Sequence, residues 1–353
     1  MTANPTHPST RAAQARQLMP VRRRRRRFFN AKNAPRLLLL PSFILLGIFV
    51  YGFIGYTVVV SFSKWQGLGQ NLDPTSPLTR NFTDLAGSTR FQSDIRNMIV
   101  FTVLFLIAAT VAGMVLALLV DRVVIGKGFF RTLFLFPYSL SFVVTGVVWR
   151  WLFNPESGVN MLFNVTGVNS ALHNAGMPEL RPGWLTDPTV LAPLNGALES
   201  VFPALAEVKT QFGIPAALIP IVIAASWQFA GFAMAMYLAG LGSIPEETRE
   251  ASRMDGASGW QALRHITLPL LRPTTVSILV ILGFTSLKIF DLVFVMSGSG
   301  PGFATDMPGI YIYEQMFGGL NYNSAAAAAV VMLIIIAIIA VPYLLRTYRK
   351  DKA

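Results

Sequence analysis

The chain has 353 residues, 53% of them hydrophobic and 13% charged, with a formal net charge of +12 and no cysteine. So little charge excludes an ordinary soluble domain, and the missing cysteines exclude disulfides, thiol catalysis and thiolate metal sites. A hydrocarbon layer of about 30 Å needs about 20 apolar residues per helix. Six blocks meet that length, at roughly 37–62, 98–120, 131–153, 216–240, 274–297 and 325–345. The basic excess is not spread as a nucleic-acid surface would be. With the N-terminus placed in the cytoplasm, 21 of the 29 Lys and Arg fall on inner segments, in 1–36, 121–131, 241–273 and 346–353. That asymmetry is the positive-inside rule, and it predicts a multi-pass membrane protein with both termini cytoplasmic and no nucleic-acid partner.

Residues 1–36 form a basic tail with six consecutive arginines at 22–27. The apolar run behind it is too long for a signal peptide and no small-residue cleavage site closes it. The tail is read as largely disordered, holding the N-terminus inside and touching anionic lipid, with RNA binding as the sharper alternative. The first span carries Gly47, Gly52 and Gly55, which permit close helix approach, and Pro41 near its inner end. The loop 63–97 reads as a short extracytoplasmic cap. The inner turn from Asp121 to Arg131 is short, so spans two and three should be antiparallel neighbours, and Pro137 should kink span three. At its outer end Arg150 sits between Trp149 and Trp151, either as a snorkelling cation in an aromatic belt or as a substrate contact. Residues 154–215 contain seven of the chain's 22 prolines, which predicts a small extracytoplasmic cap of short helices and turns.

Two later spans carry polar groups that need partners inside a membrane. Gln228 lies in the fourth span, and Ser286, Lys288 and Asp291 lie in the fifth. The i,i+3 spacing of Lys288 and Asp291 predicts a neutralising pair on one helical face, either a structural clamp or polar lining of a pathway. Tyr311, Tyr313 and Phe317 follow in the next loop, as an interfacial belt or as faces for sugar rings. The last span opens with five alanines suited to close packing.

Between the fourth and fifth spans lies a charged stretch, 241–273, with helix punctuation. Ser243 and Glu246 have capping-box spacing with Pro245 in the first turn, Gly256 ends that helix, and a second helix from about Trp260 to Leu268 is closed by Pro269. Two short helices around a glycine turn predict a compact knob.

The string EAxxxDGA, then Trp and ITLPLLxP, resembles the EAA loop of binding-protein-dependent ABC importer permeases, in the sugar branch related to the maltose permeases. Glu250, Ala251, Asp255, Gly256, Ala257, Trp260, Ile266, Leu268 and Pro269 match, and Ser252 stands where the family usually has Ala. GKGFFRTLFLFP, VVWRWLFNP and the Gly-Pro-Gly loop near 300 are similar to the same family, with a lean to α-glucoside permeases. The resemblance implies an all-α integral membrane fold, a six-transmembrane-helix ABC importer permease of the type I, maltose-permease-like kind. It implies that the 241–273 loop is a cytoplasmic coupling helix for an ATPase, with Glu250 as its main anchor. The partners it implies are a second permease subunit in a heterodimer, an ATPase dimer holding ATP and Mg, and an extracytoplasmic sugar-binding protein.

The chain's own inventory agrees with a non-catalytic subunit that binds no cofactor itself. The one Gly-Lys, at 126–127, is followed by Gly and lacks a phosphate-binding loop. His7, His173 and His265 are isolated, and no catalytic triad or paired-carboxylate site stands out. The rival reading is a stand-alone secondary transporter or channel for a small polar solute. Such folds tend to show internal repeats, and none is evident between 37–153 and 216–345.

Overall fold

The computed structural model describes residues 34–122, 126–193 and 209–350. The basic tail up to residue 33, the extreme C-terminus and part of the proline-rich segment lie outside them. Two compact units divide the chain, 1–55 and 56–353.

Among the described residues, four helices are long and apolar enough to cross a membrane. They are α1 (Leu38–Ser61), α3 (Thr89–Arg122), which follows the short α2 (Arg80–Gly87), α8 (Leu218–Gly242), and α14 (Tyr322–Lys350), which follows the short α13 (Pro308–Tyr313) and whose apolar part is Tyr322–Tyr343. Two bent pairs raise the number to six if each counts as one span. The first joins Lys127–Ser139, which begins with α4 (Lys127–Leu135), to α5 (Phe142–Leu152) at 95°. The second joins α10 (Gly259–Leu270) to α11 (Arg272–Leu287) at 61°. Around Pro137 the chain does more than kink. A short 3-10 turn, Phe136–Ser139, ends in extended Leu140, and Ser141 then caps α5 by accepting from the Val144 N–H.

Helix α8 is apolar on every side and mostly buried, as expected of the central helix of a bundle. It packs along α3 through small residues. Ala109, Ala117, Ala224, Ala225 and Ala233 are fully buried, so the backbones approach closely. At Gly113 an added Cβ would strike the Ala233 side chain and stand 2.9 Å from the Met234 nitrogen. Aromatic rings close the same seam, with Phe105 edge-on to Phe229. Near the C-terminal end of α8, the Tyr237 hydroxyl donates to Thr275 at 3.0 Å and ties α8 to α11.

The described part of the proline-rich segment folds as two short helices, α6 (Val159–Val165) and α7 (Val168–Asn174), a 3-10 turn at Trp184–Thr186 and a two-stranded antiparallel ribbon. The ribbon pairs β1 (Val190–Leu191) with β2 (Ile214–Pro215). Pro and Gly breaks at this density keep each piece to two turns or fewer.

A Cβ at Gly231 of α8 would run into the Phe134 backbone carbonyl, which no rotamer change can relieve. Gly231→Ala should therefore lower stability by about 2–3 kcal/mol, the upper part of the range for overpacking. Gly283→Ala, where nothing lies within 4 Å, should leave the melting temperature in detergent unchanged.

Candidate functional site

The knob forms between α8 and α11, but its first cap differs from the one the spacing predicts. The Ser243 hydroxyl turns back to the Gly240 carbonyl at 2.7 Å and caps nothing ahead of it. Pro245 is extended, with ψ 137°, so helix α9 (Glu246–Met254) starts one residue after it. Proline disfavours helical geometry in the residue before it, which removes Ser243 from capping range. Glu246 and Glu247 then occupy the first turn, where the free N–H groups favour negative charge.

The far end of α9 closes with a Schellman motif. The Ala257 N–H donates to the Ser252 carbonyl at 3.0 Å and the Gly256 N–H to the Arg253 carbonyl at 3.1 Å. Gly256 has φ +72°, the left-handed geometry this motif requires. The capping box appears at the start of the second helix instead. The Ser258 hydroxyl accepts from the Gln261 N–H, and the Gln261 side chain accepts from the Ser258 N–H at 2.7 Å. Helix α10 follows, and Pro269 does not stop it. A wide turn over Leu263–Thr267, in which the Leu268 N–H reaches back to Leu263, leaves room for the proline ring. The bend falls at Leu271, which is buried, and α11 then opens with Pro273.

All nine matched residues lie on this knob. Glu250, Ala251, Asp255 and Gly256 are exposed, and Ala257, Ile266 and Pro269 are half-buried. Met254 is 87% exposed, Trp260 67% and Leu268 38%. Met254, one helical turn beyond Glu250 on α9, and Trp260, at the start of α10, are bare apolar side chains on a tightly capped element.

The four intramembrane polar residues do not make one site. The Gln228 amide donates to the Leu140 carbonyl at 2.8 Å, so it satisfies the break of the first bent pair. Ser286 donates to Gly283 within its own helix. Lys288 and Asp291 are not paired: α11 ends at Leu287, Phe290 leaves helical geometry, and α12 (Asp291–Met296) begins anew. The i,i+3 argument needs one continuous helix, and this break removes it. Both side chains are exposed. Ser286 and Lys288 border a cleft of about 170 Å³ that Met98, Met307 and Met332 also line.

At the end opposite the knob the structure assembles a polar network that the sequence reading left in loops. Helix α3 begins at Thr89, nine residues before the apolar block, and carries Arg90, Asp94 and Asn97 at helical spacing. Arg90 bridges Asp306, at 2.6 Å, and Glu314. Its guanidinium also lies over the Phe303 and Tyr311 rings, at 5.0 and 5.2 Å. The Asn97 amide donates to the carbonyls of Phe303 and Asp306. Arg96 donates to the Gln211 carbonyl at 2.8 Å, which draws in the stretch just before β2. Burial keeps the Asp306 carboxyl above its usual range even though Arg90 opposes the shift, and burial raises the Tyr311 hydroxyl. The signal for this network was the run RFQSDIRN, in which Arg90, Asp94 and Asn97 recur every three or four residues.

A helical bundle of apolar spans, two of them bent, with a tightly capped knob between two spans, is the arrangement of a transporter's membrane subunit. The chain belongs to the binding-protein-dependent transport system inner membrane component family, whose model matches residues 109–350. It is 34% identical over 317 residues to a probable ABC transporter permease of Pyrococcus horikoshii, covering 90% of this chain and 96% of that one. It is 33% identical to the xylose/arabinose import permease of Haloferax volcanii, over 72% of this chain and 69% of that one. A crystal structure of a bacterial ABC transporter that imports alginate shares the fold, with a TM-score of 0.63 and 23% identity over 90% of this chain and 95% of that one. The protein is a multi-pass permease subunit of an ABC importer, and it is not an enzyme.

Replacing Arg90 by alanine would strand buried Asp306, and the expected loss of stability is about 3–5 kcal/mol. Arg181→Ala, which breaks the exposed pair with Glu179, should cost less than about 1 kcal/mol. Thermal unfolding in detergent separates the two.

Proposed function

We propose that this chain is one of two permease subunits, in a heterodimer, of an importer for a sugar or oligosaccharide. The observation that carries the reading is the knob, whose two helices are closed by a Schellman motif and a capping box and whose Glu250, Met254 and Trp260 stand bare. In the reading, an ATPase dimer binds ATP and Mg, closes, and pushes this knob and its partner's together. Glu250 faces a cation on the ATPase, Trp260 and Met254 fill its groove, and Gly256 holds the turn between the helices. Because the Leu271 bend is buried and Tyr237 joins α8 to α11, motion of the knob passes into the central helix. The bundle then opens outward to a binding protein that delivers the substrate.

The sugar class is supported by relatives. Besides the xylose/arabinose permease, a probable starch degradation products permease of Thermoanaerobacterium thermosulfurigenes is 29% identical over 90% of this chain. An α-glucoside is the first substrate to try. The orientation rests on the Lys and Arg asymmetry, which places the knob and both termini in the cytoplasm.

Since the chain has no cysteine, single cysteines report orientation cleanly. Met254→Cys should react with a membrane-impermeant maleimide only after the cells are opened, and Leu68→Cys, at an 89% exposed position, should react in intact spheroplasts. The reverse pattern would overturn the topology. In the reconstituted importer, Glu250→Ala should reduce ATP-driven uptake of an α-glucoside at least tenfold or release the ATPase from the complex. If both uptake and assembly survive, Glu250 is not the anchor.

A further inference from the structure

The proline-rich segment begins hard against the end of α5. The Asn154 N–H donates to the Trp151 carbonyl at 3.3 Å, the Ser157 N–H to the Asn154 carbonyl at 3.2 Å and the Met161 N–H to the Gly158 carbonyl at 3.1 Å. One tight turn thus follows another from the last residues of α5 into α6. Gly158 has φ +65°, and a Cβ there would run into the Leu152 carbonyl. Further on, the Trp184 ring lies 5.0 Å from that of buried Phe153. Helix α6 has seven residues, so it is about 10 Å long at 1.5 Å per residue. It stays within about that distance of Trp149, Arg150 and Trp151, residue types that gather where a bilayer meets water.

What α6 and α7 bury is polar, and what they expose is apolar. Asn160 and Asn169 are the buried positions of the two helices, each 5% exposed. The Asn160 amide donates to the carbonyls of Pro155 and Pro182 at 2.9 and 3.1 Å, and its Oδ1 accepts from the Trp184 indole N–H at 2.6 Å. The Asn169 amide donates to the Asn164 Oδ1 at 2.6 Å, and its own Oδ1 accepts from the Leu180 N–H at 2.9 Å. Outside stand Met161, Leu162, Val165 and Val168, with Met177 and Leu180 beyond them, and Val165 is 73% exposed. From Ser157 to Pro178 the sequence holds no Asp, Glu, Lys or Arg. A cap built to face water has the opposite order, apolar inside and charged outside.

We propose that this face lies in the bilayer's interfacial zone, with Met161, Leu162, Val165 and Val168 dipped toward the acyl chains and the asparagine-stitched core toward the headgroups. The zone between a hydrocarbon core of about 30 Å and the full thickness of about 40–45 Å is about 5–8 Å deep on each side, which matches the reach of α6. The face also continues from α5, whose Val144, Val147, Val148 and Trp151 are bare along the span. A protein partner is the poorer fit. Protein interfaces are anchored by Trp, Tyr and Arg, and residues 157–178 contain none of the three. Without a basic side chain the stretch gains nothing from anionic lipid, so apolar area alone seats it and a neutral headgroup serves as well. The result is a collar that holds the end of α5 at a fixed depth. Which leaflet it occupies rests on the topology proposed above; the depth does not.

Single cysteines carrying an environment-sensitive NBD label read this depth in the full chain, held in phosphatidylcholine nanodiscs. Labels at Met161→Cys and Val165→Cys should emit to the blue of a label at Leu68→Cys and be shielded from aqueous iodide. Lipid bearing a nitroxide near the headgroup end of its acyl chain should quench them at least twofold, and the Leu68 label should respond to iodide instead. Replacing phosphatidylcholine by phosphatidylglycerol should change none of this, and Leu162→Asp should at least halve the lipid quenching at Val165. The proposal is overturned if iodide reaches Met161 and Val165 as readily as Leu68, if lipid quenching requires the anionic lipid, or if Leu162→Asp leaves it unchanged. Shielding that appears only when a second permease subunit or a binding protein is added would assign the face to that protein and overturn it too. A reversed maleimide pattern at Met254 and Leu68 would sink the topology and leave lipid quenching at Met161 standing.

Discussion

A peptide group inside a hydrocarbon layer has no water to bond, so each must find its partner within the protein. The unbroken helices α3, α8 and α14 satisfy that demand along their own length. The bent pair around Pro137 does not, because its break leaves backbone groups beyond the reach of helical bonding. The solution lies on α8, where the Gln228 amide takes the freed Leu140 carbonyl and Gly231 lets the Phe134 carbonyl approach. One turn of the central helix thus seats the whole broken span. The small residues along the α3 seam belong to the same solution, since close backbone approach is what holds α8 in register.

The second bend is handled differently. Its wide turn accepts Pro269, its apex Leu271 is buried, and the knob before it is closed at each junction by backbone or side-chain hydrogen bonds. An element with so few free torsions between its exposed tip and α11 transmits displacement instead of absorbing it. Rigidity here comes from local chemistry: a left-handed glycine, a Ser–Gln box and a proline are all specified within a few residues of one another. That is why the knob was readable from sequence, apart from its first cap and the stop expected at Pro269. Ser243 and Glu246 have the right spacing, but Pro245 shifts the helix start and the serine bonds backward instead.

The polar end of the bundle was the least legible part. Arg90, Asp94 and Asn97 were counted with a loop because the apolar block begins only at residue 98, whereas α3 continues through them. The partners of Arg90 and Asn97 are Asp306, Glu314 and the Phe303 carbonyl, from a loop more than 200 positions away. Lys288 and Asp291 show the opposite failure. Their spacing suggested a bond, and a local break in the helix removed it.

Sequence alone determined where the apolar blocks lie, which stretch carries a capped knob, and the family to which the chain belongs. Each of these depends on consecutive residues: hydropathy sums over a window, and caps and glycine turns act within one helical turn. Tertiary structure alone decided the partners of Gln228, Arg90 and Asn97. Those bonds join groups 88 to 224 positions apart, and no local pattern encodes which distant carbonyl or carboxylate a buried donor will meet. The physical reason is that burial removes water as an alternative partner, so the bond is selected by how the helices pack and not by the residues beside it.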